Sequence, residues 1–163
     1  MIKTIIMSLL SLLSGSGIGP RIDYSPRLLH KEVNSYFGGK EFIMAELHLK
    51  GTPEGLSPAS GKFFSLRNSS GDNIIVYIGR VNSCRTGGCS NPSLAETETE
   101  SEYFDYFIMF DSEKMVKLVR VFNYAATHGQ EVAVKRLLDQ FVGHGSGKPL
   151  RVGKEIDAIS GAT

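Results

Sequence analysis

Five consecutive apolar residues at positions 74 to 78, Ile-Ile-Val-Tyr-Ile, constrain the fold more than any other stretch of the chain. β-Branched and aromatic side chains of this kind favour a strand. A strand with one wet face alternates apolar and polar residues, whereas a continuous apolar run indicates that both faces are covered. We therefore predict that these residues form the central strand of a sheet.

The sequence on both sides of this run predicts an antiparallel sheet. Polar, turn-forming residues at 68–72 and at 111–114 each separate two β-rich segments, which is the pattern of a hairpin. A Gly- and Pro-rich loop at 51–61 follows a further apolar segment. Strands are predicted at residues 40–50, 62–67, 73–81, 103–110 and 115–124.

Two amphipathic helices are predicted to pack on the sheet. The first starts at Ser25 and Pro26, with the hydroxyl as cap, and ends at Gly38; His30 and Lys31 beside its apolar stripe are expected to be solvated. The second opens with the capping-box pattern of Thr127 and Gln130, ends at Gly143, and is followed by a short extended run at residues 149–156. Its apolar positions follow i, i+3, i+4, i+7 spacing: Val134, Leu137, Leu138 and Phe141. The predicted class is α+β, an antiparallel sheet with helices packed on it.

Length and charge limit the organisation and the partners. A chain of 163 residues fits one domain with a hydrophobic core. The net charge is +1 and the sequence has no basic cluster, which argues against nucleic acid as a partner.

The N-terminal residues 1–19 have the composition of a secretory signal peptide, with Lys3 before an apolar run at 5–13 and small residues at 14–16. The folded domain is then expected at residues 20–163. This predicts an extracytoplasmic protein, periplasmic or secreted, which is membrane-attached if the segment is not cleaved.

Cys84 and Cys89 enclose Arg85-Thr86-Gly87-Gly88. In an oxidising compartment two cysteines this close can reach disulfide distance. The pair is interpreted as a structural disulfide, and the alternative is a redox-active dithiol in which Arg85 favours a thiolate. Two cysteines without a nearby His supply too few ligands for zinc, and no metal site is predicted.

The last seven residues combine small side chains with a hydroxyl on Thr163. Asp157 followed by Ser160-Gly161-Ala162-Thr163 resembles the Asp-x-x-Ser/Thr-Gly-Ala-Thr signature of the FMN-binding domain family, found in the extracytoplasmic subunits of the sodium-pumping NADH:quinone oxidoreductase and the Rnf complex. In that family a flavin transferase joins the FMN phosphate to the final Thr. The resemblance therefore implies covalent FMN on Thr163, recognition and turn roles for Asp157 and Ser160, and accessible backbone at Gly161 and Ala162.

The resemblance extends over residues 62–163. Leu138-Asp139-Gln140-Phe141-Val142-Gly143 is similar to the family's Leu-x-x-Phe-x-Gly helix end. Thr127-His128-Gly129 stands where the family usually has Glu-Thr-Pro-Gly, so Glu and Pro are absent. By position, the resemblance implies Asn123, Tyr124, Thr127 and Gly129 as neighbours of the flavin ring.

The function implied is that of an electron-transfer flavoprotein, an oxidoreductase component rather than a stand-alone enzyme, with no catalytic side chain because the flavin carries the redox chemistry. Its partners would be the flavin transferase and a membrane-associated redox protein. Two alternatives stay open. One is a secreted binding or adhesion module, stabilised by the Cys84–Cys89 disulfide, that uses this loop and the acidic loop at 93–103. The other is a disulfide oxidoreductase that uses the same cysteines.

Overall fold

The chain folds into an antiparallel five-stranded sheet with one principal helix packed on one face. A computed structural model describes residues 21–49, 61–82, 102–145, 147 and 150–157. The strands are neighbours in chain order, β1-β2-β3-β4-β5. The element bounds are α1 Arg27–Tyr36, β1 Phe42–Leu47, β2 Gly61–Asn68, β3 Asn73–Asn82, β4 Tyr103–Phe110 and β5 Val116–Tyr124.

This architecture confirms the α+β class, the two predicted hairpins and the central position of the 74–78 run, which lies in β3. The predicted signal peptide, most of the loop at 51–61, Cys84, Cys89, most of the acidic loop and residues 158–163 lie outside the described residues. Among the helices that are described, none is long and apolar enough to cross a membrane.

The hydrophobic core lies between α1 and the face of the sheet that we call the inner face. Side chains alternate between the two faces of a strand, so the even-numbered residues of β3, such as Val76, point towards α1 together with odd-numbered residues of β4, such as Phe107. Leu29 and Val33 of α1 are at most 1% exposed within this cluster. The opposite side of the sheet is called the outer face.

Helix α1 begins without the predicted hydroxyl cap. Pro26 occupies the N-cap position, and no side chain caps the helix. The Ser25 hydroxyl instead lies 2.7 Å from Nε2 of His30, and the His30 ring packs against Phe42. The His30 side chain is thus partly exposed, with its ring covering apolar surface, whereas Lys31 is exposed as predicted.

The second predicted helix is broken into three short pieces. They are a 3₁₀ turn at Gln130–Ala133, helix α2 at Lys135–Leu138, and a second 3₁₀ turn at Asp139–Phe141. Val134 is extended, with φ −69° and ψ 127°, and is 51% exposed, while Leu138 is the buried residue of these pieces. A helix of this length needs a buried apolar stripe to offset its nucleation cost, and here that stripe is not buried as a unit. We call residues 130–141 the C-terminal segment.

The predicted extended run before the motif is a tight turn over the part that the structure describes. A bridge joins Val152 and Ile156, and Gly153, at φ 79°, donates its N–H to the Ile156 carbonyl at 2.7 Å. The side chains of Arg151 and Glu155 form an ion pair across the turn at 2.8 Å. The left-handed glycine lets the chain reverse where an extended path was expected.

A substitution that creates a cavity in the core tests the packing of the inner face. Leu66 is fully buried in β2, so Leu66→Ala should lower the free energy of unfolding by about 2–5 kcal/mol through lost burial and an unfilled cavity. Ile43→Ala in β1 is the matched control, because Ile43 is 78% exposed. Urea unfolding measures both, and equal losses in the two variants would contradict this assignment of the faces.

Candidate functional site

An extra residue in β5 organises one end of the sheet. Phe104 pairs with Tyr124 and Asp105 pairs with Phe122, which leaves Asn123 without a partner on β4. Asn123 has φ 50°, a left-handed conformation that asparagine tolerates better than most residues. This is a β-bulge, a feature that bends a strand and re-aims its side chains.

The Asn123 side chain completes a polar cluster around the buried Asp105 on the inner face. Asp105 is fully buried, and its two carboxylate oxygens accept hydrogen bonds from Nε and Nη2 of Arg80 at 2.6 and 3.0 Å. The Asn123 amide donates to the second of these oxygens at 2.8 Å. The guanidinium carbon of Arg80 lies 3.8 Å from the centre of the Tyr103 ring, a cation–π contact. Every charge in the cluster is thus paired, and the hydrogen bonds to Asp105 raise the pKa of the Arg80 guanidinium.

The bulge also places Tyr124 on the outer face. In a regular strand Tyr124 would share the face of Phe122, which packs on the inner core. The extra residue reverses the alternation, and the Tyr124 ring stacks on Phe104 with centroids 5.7 Å apart and planes 7° apart. Asn123 and Tyr124 therefore serve opposite faces.

Tyr124 ends a row of five rings that crosses four strands of the outer face, and we call this set the aromatic row. Its successive ring centroids are 4.7, 5.8, 6.3 and 5.7 Å apart, distances at which aromatic rings attract each other. All the rings are partly exposed except that of Tyr77, which is 5% exposed. In spatial order the members are Phe63, Tyr77, Tyr106, Phe104 and Tyr124.

Two tyrosine hydroxyls lie close together within the row. The Tyr77 hydroxyl is buried and has no hydrogen-bond partner of normal geometry. It is nevertheless close enough to the Tyr106 hydroxyl to change the pKa of Tyr106. Burial, and then the proximity of Tyr77, raises the pKa of Tyr106 well above the ordinary tyrosine value. Burial also raises the pKa of Tyr77. Both phenols therefore remain neutral donors across the physiological range.

The turn after β5 brings three of the predicted flavin neighbours into one short segment. The Tyr124 hydroxyl donates to the His128 carbonyl, and Gly129, at φ 76°, leads into the C-terminal segment. The backbone N–H and the hydroxyl of Thr127 both donate to the Glu102 carboxylate, so Thr127 does not form the predicted capping box. Asn123 adjoins this turn, but its amide is directed to Asp105 on the inner face.

Asp157, the first residue of the C-terminal motif, is fixed to the C-terminal segment. Its carboxylate accepts a hydrogen bond from Nε2 of Gln140, and its backbone N–H donates to Oε1 of Gln140, both at 2.8 Å. Three residues after Gln140, Gly143 donates to the carbonyl of Val116, the first residue of β5. Tyr124 is the last residue of that strand, at the end opposite Val116. Ser160, Gly161, Ala162 and Thr163 lie outside the described residues.

Sequence reasoning missed the Asp105 cluster and the aromatic row. A signal for the first was present, because Asp105 interrupts the apolar run 103–110 at a position that alternation assigns to the buried face. The row depends on strand register and on the bulge, which no local pattern reveals. Among the described residues no group of three or more His, Cys, Asp or Glu could hold a metal ion.

Breaking the buried ion pair should be far more damaging than breaking a surface one. Asp105→Asn removes the carboxylate charge that faces Arg80, whose side chain is 13% exposed, and should cost about 3–5 kcal/mol in the free energy of unfolding. Glu155→Gln breaks the exposed Arg151 pair and should leave the free energy of unfolding nearly unchanged, because solvent screens the two charges. Chemical denaturation of both variants measures the difference. Comparable losses of unfolding free energy would show that the Asp105 pair is no more important for stability than the surface pair.

Stability should fall in alkaline solution because of Tyr106. The folded-state pKa of Tyr106 is raised above the ordinary value of 10.0, so above that pH the unfolded chain releases a proton that the folded chain retains. The contribution of neutral Tyr106 to the free energy of unfolding is fully present below about pH 10 and is lost as pH rises towards the folded-state pKa. Urea unfolding at about pH 9 and about pH 11 should show a smaller decrease for Tyr106→Phe than for the wild type. Tyr36→Phe on α1 is the control and should leave the decrease unchanged.

Comparison of the chain with protein-family models, with curated proteins and with solved structures returned no match. Functional conclusions therefore depend on the C-terminal motif and on the geometry of the described residues.

Proposed function

We propose that this chain is an extracytoplasmic flavoprotein domain that carries FMN through a phosphoester to Thr163 and relays electrons. A flavin transferase would attach the cofactor, and a membrane-associated redox protein would exchange electrons with it. The fold of the FMN-binding domain family and secretion through residues 1–19 belong to the same proposal.

The contact between Gln140 and Asp157 is the observation that carries the proposal. The resemblance to the family lies in two separate blocks, the helix end at residues 138–143 and the motif at residues 157–163. Gln140 belongs to the first block and Asp157 to the second, and two 2.8 Å hydrogen bonds join them. An aspartate at the start of the motif thus has a physical role, because it ties the first residue of the motif to the C-terminal segment.

The anchor is specific in its chemistry. A primary amide donates through its nitrogen and accepts through its oxygen. The Gln140 nitrogen donates to the Asp157 carboxylate, and the Gln140 oxygen accepts from the Asp157 backbone N–H, so both ends of the amide are hydrogen-bonded. Asn at position 157 would lack this selectivity, because its side chain can also present NH₂ to the Gln140 amide. A modifying enzyme that must find one hydroxyl benefits from a motif whose first residue is held by two hydrogen bonds.

The residues around Tyr124 fit a planar cofactor ring. Tyr124 offers a partly exposed, uncharged ring that Phe104 already holds in a fixed plane. Gly129 presents backbone without a side chain, so a bulky group can approach it. The Asn123 amide is used by Asp105, so its contact with flavin stays a prediction of the resemblance alone.

When bound, FMN supplies the redox chemistry, and the chain contributes attachment, orientation and exclusion of water. Thr163 would carry the phosphate and Asp157 would hold the attachment segment on the domain. Tyr124 would limit the tilt of the ring and cover one side of it. Permanent attachment suits a protein outside the cytoplasm, because a dissociated cofactor would be lost by dilution.

Covalent loading gives a direct test. The full chain is co-expressed with a flavin transferase, denatured, separated by electrophoresis and viewed under ultraviolet light. The wild type should give a fluorescent band, Thr163→Ala should abolish it, and Thr163→Ser should retain it, because the serine keeps the acceptor hydroxyl. Intact mass should show one FMN adduct per chain.

The anchor is tested in the same assay. Gln140→Ala should reduce the yield of the adduct several-fold, because Asp157 loses both of its hydrogen bonds. Lys135→Ala breaks an exposed ion pair of the same segment and should not change the yield. A wild-type band without fluorescence would reject the flavin proposal and would favour the secreted binding module.

A further inference from the structure

A groove of about 470 Å³ lies between helix α1 and the edge strand β1. A volume of this size suits a small organic molecule. The residues that line it are Ser25, His30, Asn34, Glu41, Phe42 and Met44. None of them belongs to the proposed FMN site, so the groove needs a separate explanation.

Ser25 and His30 have the geometry of a nucleophile and its general base. Ser25 is exposed, and its hydroxyl lies 2.7 Å from Nε2 of His30. In the tautomer with the proton on Nδ1, Nε2 accepts a hydrogen bond from the hydroxyl. This is the arrangement that activates a serine, because the base removes the hydroxyl proton as the new bond forms.

Neighbouring residues hold both members of the pair. The backbone N–H of Ser25 donates to the Asp23 carboxylate at 2.9 Å, and the next residue, Pro26, is buried. The backbone N–H of His30 donates to the Pro26 carbonyl at 3.3 Å, and the His30 ring packs on Phe42 with centroids 5.6 Å apart. The hydroxyl and the imidazole are therefore positioned before any substrate binds.

The first turn of α1 adds a favourable charge environment. The helix begins at Arg27, two residues after Ser25, and no side chain caps it. The uncapped N–H groups of a helix start carry partial positive charge. Acyl transfer places negative charge on the carbonyl oxygen, and such N–H groups stabilise it.

The walls of the groove select an uncharged acyl group. Phe42 and Met44 are partly buried and offer apolar surface to a short chain. Glu41 is exposed at the same groove and repels an anionic substrate. A short-chain, uncharged ester meets both requirements.

We propose that Ser25 and His30 hydrolyse short, uncharged carboxylic esters in this groove. The Ser25 oxygen attacks the ester carbonyl while its proton moves to Nε2 of His30. When the tetrahedral intermediate collapses, the bond to the leaving alcohol breaks, and that alcohol takes the proton from His30. Water, deprotonated by His30 in the same way, then cleaves the acyl-serine ester and releases the carboxylic acid. This activity is independent of the attachment of FMN to Thr163.

The test uses the purified full chain with p-nitrophenyl butyrate and with a fluorophosphonate probe. The wild type should release p-nitrophenolate over many turnovers. The probe should lose fluoride and leave one phosphonyl group per chain, which peptide mass spectrometry should locate on Ser25. Urea-denatured chain should not be labelled, because unfolding separates the serine from its base. Thr163→Ala should react as the wild type does, so a failure of FMN attachment leaves this test intact.

Variants separate the roles of the two residues. Ser25→Ala should abolish labelling and ester turnover, whereas Ser35→Ala, at an exposed serine of α1, should change neither. His30→Gln should slow labelling at least about 100-fold, the contribution expected of a general base. His48→Gln is the matched control, because the His48 side chain is 87% exposed.

Four results would overturn the proposal. These are an absence of labelling on Ser25, equal labelling of the denatured chain, ester turnover that Ser25→Ala retains, or a labelling rate that a folded His30→Gln variant leaves unchanged. Circular dichroism of each variant shows whether the sheet is retained. If His30→Gln does not fold, the position of the label on the wild type still decides, because it requires no substitution.

Discussion

The buried pair of Asp105 and Arg80 is the interaction on which the end of this sheet depends. A fully buried carboxylate is tolerable only when charge and hydrogen bonds compensate its lost hydration, and here Arg80 supplies two hydrogen bonds. The third comes from Asn123, which can reach Asp105 because it is the extra residue of a bulge. The need to compensate the charge of Asp105 thus accounts for the bulge at Asn123 in β5.

The bulge has an effect on the opposite face. By inserting one residue it changes the side of the sheet on which Tyr124 lies, and so extends the aromatic row to β5. The inner face is closed by α1 and by the polar cluster, whereas the outer face keeps partly exposed rings. The inner face of the sheet therefore holds the fold together, and the outer face carries the ligand-binding role proposed for Tyr124.

The C-terminal segment links the sheet to Asp157. Arg120 of β5 contacts both Glu32 of α1 and Asp139, and Gln140, the next residue, holds Asp157. Asp157 is therefore held by an irregular piece of chain rather than by a regular helix. The break in the helix at Val134 does not prevent the segment from holding Asp157, because the contacts to Arg120 and Asp157 are made by the single residues Asp139 and Gln140.

Local sequence was sufficient for the strands, the hairpins and α1, since each depends on residue periodicity and turn composition within a few positions. The central place of β3 followed in the same way from the unbroken apolar run at residues 74–78. Local patterns failed where long-range contacts compete with propensity. Thr127 binds Glu102, 25 residues away, instead of capping a helix, and the Asn123 amide turns to Asp105 on the face opposite Tyr124.

The resemblance at residues 157–163 is visible in the sequence alone, but only the folded chain shows that Gln140 holds Asp157. The row of five rings likewise exists only after register and bulge are set, because strand pairing, and not the order of residues, decides which side chains share a face.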